Sequence, residues 1–470
     1  PLNLGKTCAR GQATLHGLYN PDRVQEPQGG GKPMDWDAAI EVVADALKNN
    51  QPGEIAFLLG TTADHLFDLV SDLAAQTGIN PPLRFGALSM FESRATLAKA
   101  AENLFGQAGL PFFDVGGAKA VFSFGANFLE TWLSPVSYTR GFAGLREALT
   151  KMRGKLIQFE ARMSATAAKA DEWIPLRPGT EALVALAIGR LALEKRGGPL
   201  PRAFTDVDPM DAASKSGVEL ETLERYAEMF VSEGALAIPG GAALGQTSGL
   251  ALAEAVLALN AVADNLGKEG GLFISPLAPN QAEYQRSASV QEMREFTQKL
   301  ASGKIKVLFV HGVNPVFELP AAFEFKKALE NVEQVISYAV FCLKKKIAAD
   351  YVFPDHHALE SWGYQRVATG SNQSALSGSQ PVVSPYYNTR STADALIAAA
   401  QLAGGKFAAA LPFQDEVEFI QSKVAPLMNQ AGGFFSAADL PAFFAYFQQY
   451  GGWWTNYDTR VIPNAADTLN

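Results

Sequence analysis

With 470 residues, 48% of them apolar and 19% charged, the chain has length for roughly three domains and material for large cores, which excludes disordered, collagen-like and coiled-coil classes. Its 39 Lys and Arg against 48 Asp and Glu leave a net charge of −9, which argues against a phosphate backbone as the main partner. Two cysteines, Cys8 and Cys342, are too few for a disulfide framework, a four-cysteine zinc site or the four thiolates of an iron–sulfur cubane; whether they pair with each other stays open.

The chain opens at Pro1 with neither Met nor a signal-like segment, and is expected to be a piece of a longer protein. No uninterrupted apolar run reaches 18 residues, so no membrane span is predicted. Gly29, Gly30 and Gly31 follow no strand and read as a loop between Pro27 and Pro33. Four short apolar runs then end in glycine turns, each followed by a helical pattern: 54–60 (EIAFLLG) before a helix over 63–76, 119–125 (KAVFSFG) before a helix from Asn127 to Met152, 235–241 (ALAIPGG) before a helix over 248–266, and 306–312 (KVLFVHG) before a helix over 320–330. Continuous rather than alternating apolar strands are covered on both faces, and with helices between them they predict a parallel α/β fold.

Two of these units follow one plan. AVFSFGAN at 120–127 leads through a helix and the strand KLIQFE at 155–160 to AKADEWIP at 168–175; VLFVHGVN at 307–314 leads through a helix and QVISYAV at 334–340 to IAADYVFP at 347–354. Gly125 lies 46 residues before Asp171 and Gly312 lies 38 before Asp350, so the units are repeats that differ by eight residues. A glycine at the strand end with a helix N-terminus behind it suits a diphosphate. The same residues read equally as helix caps, Asn127 with Glu130 and Asn314 with Pro315. Arg10, Arg162, Lys169 and Arg177 lie beside Gly-rich or Gly-Thr turns, as cations for such a ligand would, or as scattered surface charge. Asp355, His356, His357 and Glu360 carry metal-ligating groups, but adjacent histidines point different ways and a solvated loop is the expectation. Neither Gly-x-Ser-x-Gly, nor Walker A, nor Gly-x-Gly-x-x-Gly after a strand is present. From about Gly404 aromatics crowd the tail, as local core with part of it facing a partner.

The strings 8–13 (CARGQA), 18–23 (LYNPDR) and 36–39 (WDAA), then 162–180 with Arg162, Thr166, Asp171, Gly179 and Thr180, then 353–363 (FPDHHALESWG), together resemble the molybdopterin oxidoreductases of the DMSO reductase type. Within that family, 124–135 (FGANFLETWLSP) and 386–394 (YYNTRSTAD) look most like the ActB-type large subunit of alternative complex III, a bacterial quinol-oxidising membrane complex. The resemblance implies two pseudo-symmetric nucleotide-binding-type α/β domains with parallel sheets. They would comprise a discontinuous one over 35–110 with 290–403 and an inserted one over 111–289. Residues 1–34 would be the remnant of an iron–sulfur-type region, and 404–470 an irregular aromatic tail leading to a separate ferredoxin-like domain.

Departures from the active enzymes shape the functional expectation. Only Cys8 answers to the family's cluster cysteines, Arg10 stands where a Lys is common between cluster and pterin, and the stretch carrying the molybdenum ligand offers only Ser89 and Ser93. By resemblance, Arg10, Gly125, Asn127, Arg162, Gly179, Thr180, Gly312 and Asn314 are vestigial pterin-pocket positions, and no catalytic or metal-ligating residue is assigned. The chain is expected to hold no cofactor, with iron–sulfur clusters in the ferredoxin-like domain, and to scaffold electron transfer from quinol on the outer face of the cytoplasmic membrane. Its expected partners are a quinol-site membrane subunit and haem-bearing cytochrome subunits. A fragment of an active molybdenum and pterin enzyme of the polysulfide or thiosulfate reductase type is the alternative.

Overall fold

The computed structural model describes residues 3–60, 62–86, 94–107, 109–147, 153–197, 200–283, 285–341 and 349–464. The apolar runs are strands: β1 (Ile55–Leu59), β2 (Leu83–Arg84), β3 (Ala120–Phe124), β4 (Lys155–Phe159), β5 (Glu172–Ile174), β6 (Leu236–Pro239), β7 (Val307–His311), β8 (Gln334–Ala339) and β9 (Tyr351–Pro354). They form two sheets. One runs β9-β8-β7-β1-β2 in parallel, extended beyond β9 by an antiparallel hairpin of Gln28–Gly29 and Lys32–Pro33; the other runs β5-β4-β3-β6, all parallel. Because β1 and β2 precede the second sheet in the chain and β7 to β9 follow it, the first sheet belongs to a discontinuous domain and the second to a domain inserted in it.

The strands are buried on both faces, as their unbroken apolar pattern requires. Phe57, Phe309, Ile336 and Tyr338 pack under the helices Trp36–Asn49, Asp64–Thr77 and Thr392–Ala403, while Leu58, Leu308 and Val310 pack under Val290–Ala301 on the opposite face. Residue alternation along a strand produces this division.

The repeat is visible at atomic detail. In the small sheet Phe124 lies opposite Phe159 and Pro239; in the large sheet His311 lies opposite Tyr338 and Leu59. The shared Asp does the same work in both halves. The Asp171 N–H donates to Leu156 O at 2.8 Å and its carboxylate accepts from Leu156 N–H at 2.7 Å; Asp350 does so with Val335 at 2.9 and 2.8 Å.

Three predicted helices are shorter than their patterns; the one predicted over 248–266 spans Gly249–Val262, with Asp264 at φ +55° beyond its end. After Gly125 the chain makes a turn in which Asn127 O accepts from the N–H groups of Glu130, Thr131 and Trp132, Leu133 takes φ +51°, and the helix spans only Pro135–Arg146. Burial of Phe128 and Trp132 holds that turn. Glu324 at φ +50° likewise divides the region after Pro320 into a 3-10 turn, Ala321–Phe323, and the helix Phe325–Leu329.

The aromatic tail carries the helices Gly405–Ala410, Glu416–Val424 and Leu440–Tyr450, and a strand, Gly452–Trp454, that joins an antiparallel sheet with Gly363–Arg366 and Ala375–Ser379. Its aromatics divide: Phe443, Phe444, Phe447 and Trp453 are buried, whereas Phe434, Tyr446, Tyr450 and Tyr457 are 40–53% exposed. Among the described residues no helix is long and apolar enough to cross a membrane.

Candidate functional site

In open α/β sheets ligands bind outside the carboxyl ends of the strands, where the strand order reverses. Here that point lies between β3 and β6 in one domain and between β7 and β1 in the other. Glycine ends the strands at both. Gly240 N–H donates to Phe124 O at 3.1 Å, and Gly60 N–H to His311 O at 2.7 Å. A Cβ on Gly241 would collide with the Gly125 carbonyl, and one on Gly60 with the Gly312 carbonyl, so backbone touches backbone at each switch point. Gly125 and Gly312 turn the chain with φ of +75° and +63°, which glycine adopts freely.

At the first switch point the structure gathers Gly125 and Asn127 against Gly241. Asn127 Oδ1 lies 3.1 Å from where a Cβ on Gly241 would sit, and Gly179 (φ +84°) faces the Gln246 side chain across van der Waals distance. Thr180 begins the helix Glu181–Arg196, and its hydroxyl donates to Arg177 O at 2.6 Å. Arg162 is exposed on the loop after β4. Three of that loop's N–H groups are already bonded within the protein. Ser164 N–H donates to Glu160 Oε1 at 2.5 Å, Thr166 N–H to Glu130 Oε1 at 3.0 Å, and Ala167 N–H to Ser164 Oγ at 3.1 Å. Glu130 thus reaches across to the loop, not back to Asn127 as a capping pair would. Arg177 is also spent, its guanidinium donating to Ser214 O at 2.9 Å and Lys215 O at 3.1 Å, where it closes the end of the helix Pro209–Ser216.

At the second switch point Gly312 leads into Asn314, which caps the short helix Pro315–Glu318 by accepting from Phe317 N–H at 3.3 Å. Asn314 N–H in turn donates to Glu318 Oε1 at 2.7 Å. His311 Nε2 pairs with Asp355 Oδ2 at 2.6 Å, and Asp355 Oδ1 accepts from the N–H groups of His356 and Thr392. Burial works against the Asp355 carboxylate, yet His311 and His356 hold it below the ordinary carboxylate range. Burial, with the Asp355 charge, pushes the Tyr338 phenol up. His311 Nδ1, Tyr338 Oη and Thr392 Oγ1 are buried without a hydrogen-bond partner.

The segment 355–360 is not the solvated loop that its composition suggests. Glu360 is buried against Arg23 in a two-pronged pair of 3.0 and 2.6 Å, with both side chains at 0% exposure, and it also accepts from His357 and Tyr386 N–H. Among the described residues no group of three metal-ligating side chains assembles. Arg10 is exposed in the short helix Ala9–Gln12, away from both switch points' hydrogen-bond networks. Exposed Cys8 precedes that helix, and the Gly11 N–H lowers its thiol pKa. Cys342, Ser89 and Ser93 lie outside the described residues.

Sequence reasoning missed Glu160 and Glu318, and it gave Glu130 another partner. Glu318 and Glu160 each lie four residues from the N–H they accept from, one step beyond the capping-box spacing, whereas Glu130 meets the 162–167 loop only through the fold.

The molybdopterin oxidoreductase family profile matches residues 23–398. The chain is 26% identical over 444 residues to the "Menaquinone reductase, molybdopterin-binding-like subunit" of Nitratidesulfovibrio vulgaris, covering 90% of this chain and 63% of that one. It is 23% identical over 479 residues to the molybdopterin-containing subunit ArrA of the arsenate respiratory reductase of a Shewanella species, covering 82% of this chain and 54% of that one. Both relatives are therefore longer than the stretch they share with it. Acetylene hydratase from Pelobacter acetylenicus has the same fold, with a TM-score of 0.68 at 17% identity over 90% of this chain and 67% of that one. With four fifths of its length matched by the profile and the pseudo-symmetric pair of parallel sheets in place, the chain belongs to the molybdopterin oxidoreductase family.

Proposed function

We propose that this chain is a cofactor-free, molybdopterin-oxidoreductase-like scaffold within a membrane quinol-oxidising complex of the alternative complex III kind. One observation carries the reading: at both switch points carboxylates and carbonyls of the chain itself already occupy donors that a pterin dinucleotide could use. At the first half-site Glu160 and Glu130 occupy the N–H groups of Ser164 and Thr166, and Arg177 is committed to backbone carbonyls. At the second, Glu318 occupies Asn314 N–H, and the Asp355 carboxylate stands at the strand ends. A diphosphate brought to these turns meets resident carboxylates, and the residues present do not fit it. Two cysteines in the sequence likewise fall short of a four-thiolate cluster.

The chain's work is then to hold partners in register. The relative in Nitratidesulfovibrio vulgaris, a molybdopterin-binding-like subunit of a menaquinone reductase, supports placing it beside a quinone-reactive subunit. The iron–sulfur clusters, the quinol-site membrane subunit and the haem-bearing cytochromes belong to the rest of the assembly, on the outer face of the cytoplasmic membrane. Molybdenum, iron and pterin content of the purified chain tests the reading. Each is expected well below one equivalent, and stoichiometric molybdenum with pterin would overturn it in favour of a molybdenum reductase.

A further inference from the structure

A cavity of about 310 Å³ lies between the tail and the discontinuous domain, away from both switch points. Its walls are Leu359, Trp362, Val382, Ile420, Phe444 and Phe447. The Trp362 and Phe444 rings lie 6.3 Å apart and tilted by 30°, and Phe444 stacks on Phe447 at 6.2 Å, so three packed aromatic rings contribute to the wall. Glycines complete the lining. Gly378 and Gly451 leave the backbone bare, and a Cβ on Gly378 would collide with the Phe447 ring.

Its chemistry differs from that of the molecule's other described cavities. Those are lined by charged groups, Arg294 with Lys327, Asp114 with Arg140, and Glu292 with Lys299. This one has no ionisable side chain on its lining, and its polar groups are the Ser379 hydroxyl and the Gln380 and Gln448 amides. Among the described residues none of these three side chains has a hydrogen-bond partner, so all are free to bind a guest. Ligand sites combine this predominance of apolar wall with a few orienting polar groups. At protein packing density the volume holds roughly fourteen non-hydrogen atoms. A carboxylate or ammonium set against the buried Ile420, Phe444 and Phe447 would lose hydration without a counter-charge.

We infer that this cavity is a binding site for an uncharged, flat, two-ring aromatic compound with a hydrogen-bonding group on one edge. The rings lie against Trp362, Phe444 and Phe447, and the polar edge meets Ser379, Gln380 or Gln448. The inference stands apart from the scaffold reading, since neither switch point takes part.

Calorimetric titration of the chain with 2-naphthol, and with 2-naphthoate as a charged ligand of the same shape, tests it. One saturable site is expected for 2-naphthol, with 2-naphthoate at least tenfold weaker. Ala358 is exposed on the rim, and Ala358→Trp fills the mouth; it should weaken 2-naphthol at least tenfold with the thermal midpoint unchanged. Should that midpoint fall, Val382→Glu, at a side chain 68% exposed, decides instead by placing a charge at the entrance. Absence of saturable binding, equal affinity for the two ligands, or indifference to the deciding variant would overturn the site.

Discussion

Arg23 and Glu360 meet 337 positions apart in the chain and exclude water from both charges. Removing one partner strands the other, so Arg23→Met should lower unfolding free energy by about 3–5 kcal/mol, read from the urea midpoint, whereas replacing both with Met should cost much less. Burial pushes the Glu360 carboxyl up, but Arg23 and the N–H groups of Tyr386 and His357 outweigh it and hold the group below the usual glutamate range. A carboxyl with a folded pKa below its unfolded one adds stability that is full above the ordinary range and lost as pH falls through the folded value. Wild-type stability should therefore fall on the acid side of about pH 4.5, and Arg23→Met should flatten that limb. Neither residue was picked out as a pair in the sequence, because nothing local links position 23 to position 360. The strings that contain them, LYNPDR and FPDHHALESWG, were legible as family motifs, while the burial that makes them structural came only with the fold.

The strand–turn unit repeats, and its two copies invite the same experiment. Asp171→Ala and Asp350→Ala each leave a strand N–H, on Leu156 or Val335, without its acceptor, at a cost of about 1–3 kcal/mol. Asp171 also pairs with Arg146 at 2.6 Å and Arg153 at 3.2 Å, so its loss should be the larger of the two in a denaturant series. Gly241→Ala combines a positive φ with a collision against fixed backbone and should cost about 2–4 kcal/mol, measured in the same way. Strand positions were legible because apolar runs ending in glycine are local signals. The helix predicted from Asn127 was not, since Leu133 at φ +51° and the burial of Trp132 depend on neighbours far away in sequence. The same holds for the candidate site: Gly125 and Asn127 are brought against Gly241, and Glu130 reaches the 162–167 loop from a segment 36 residues away.

Across the whole molecule, the end of the tail crosses the seam between the domains. Thr455 and Thr459 N–H groups donate to Ser374 O and Asn372 O, and Val461 then pairs with Ile274 through hydrogen bonds of 2.9 and 3.0 Å. Between them the Arg460 guanidinium lies over Phe273 at 3.9 Å and Phe112 at 5.0 Å. Val461→Pro removes the N–H that Ile274 O accepts, and should speed hydrogen exchange at 111–113 and 272–274 while leaving the central strands β3 and β7 protected. Equal acceleration in the central strands would mean that the contact supports the whole fold rather than the seam. By itself the sequence determined the parallel α/β class, the duplication and the family, because apolar periodicity, glycine-ended strands and short motifs act over a few residues. It also bounded the thiolates available to a cluster. Only the tertiary structure decided which turn N–H groups are bonded within the protein, because that depends on which carboxylate the fold brings to them. Here Glu130 comes from the turn after β3, Glu160 from the residue that follows β4 and Glu318 from the helix after its own turn.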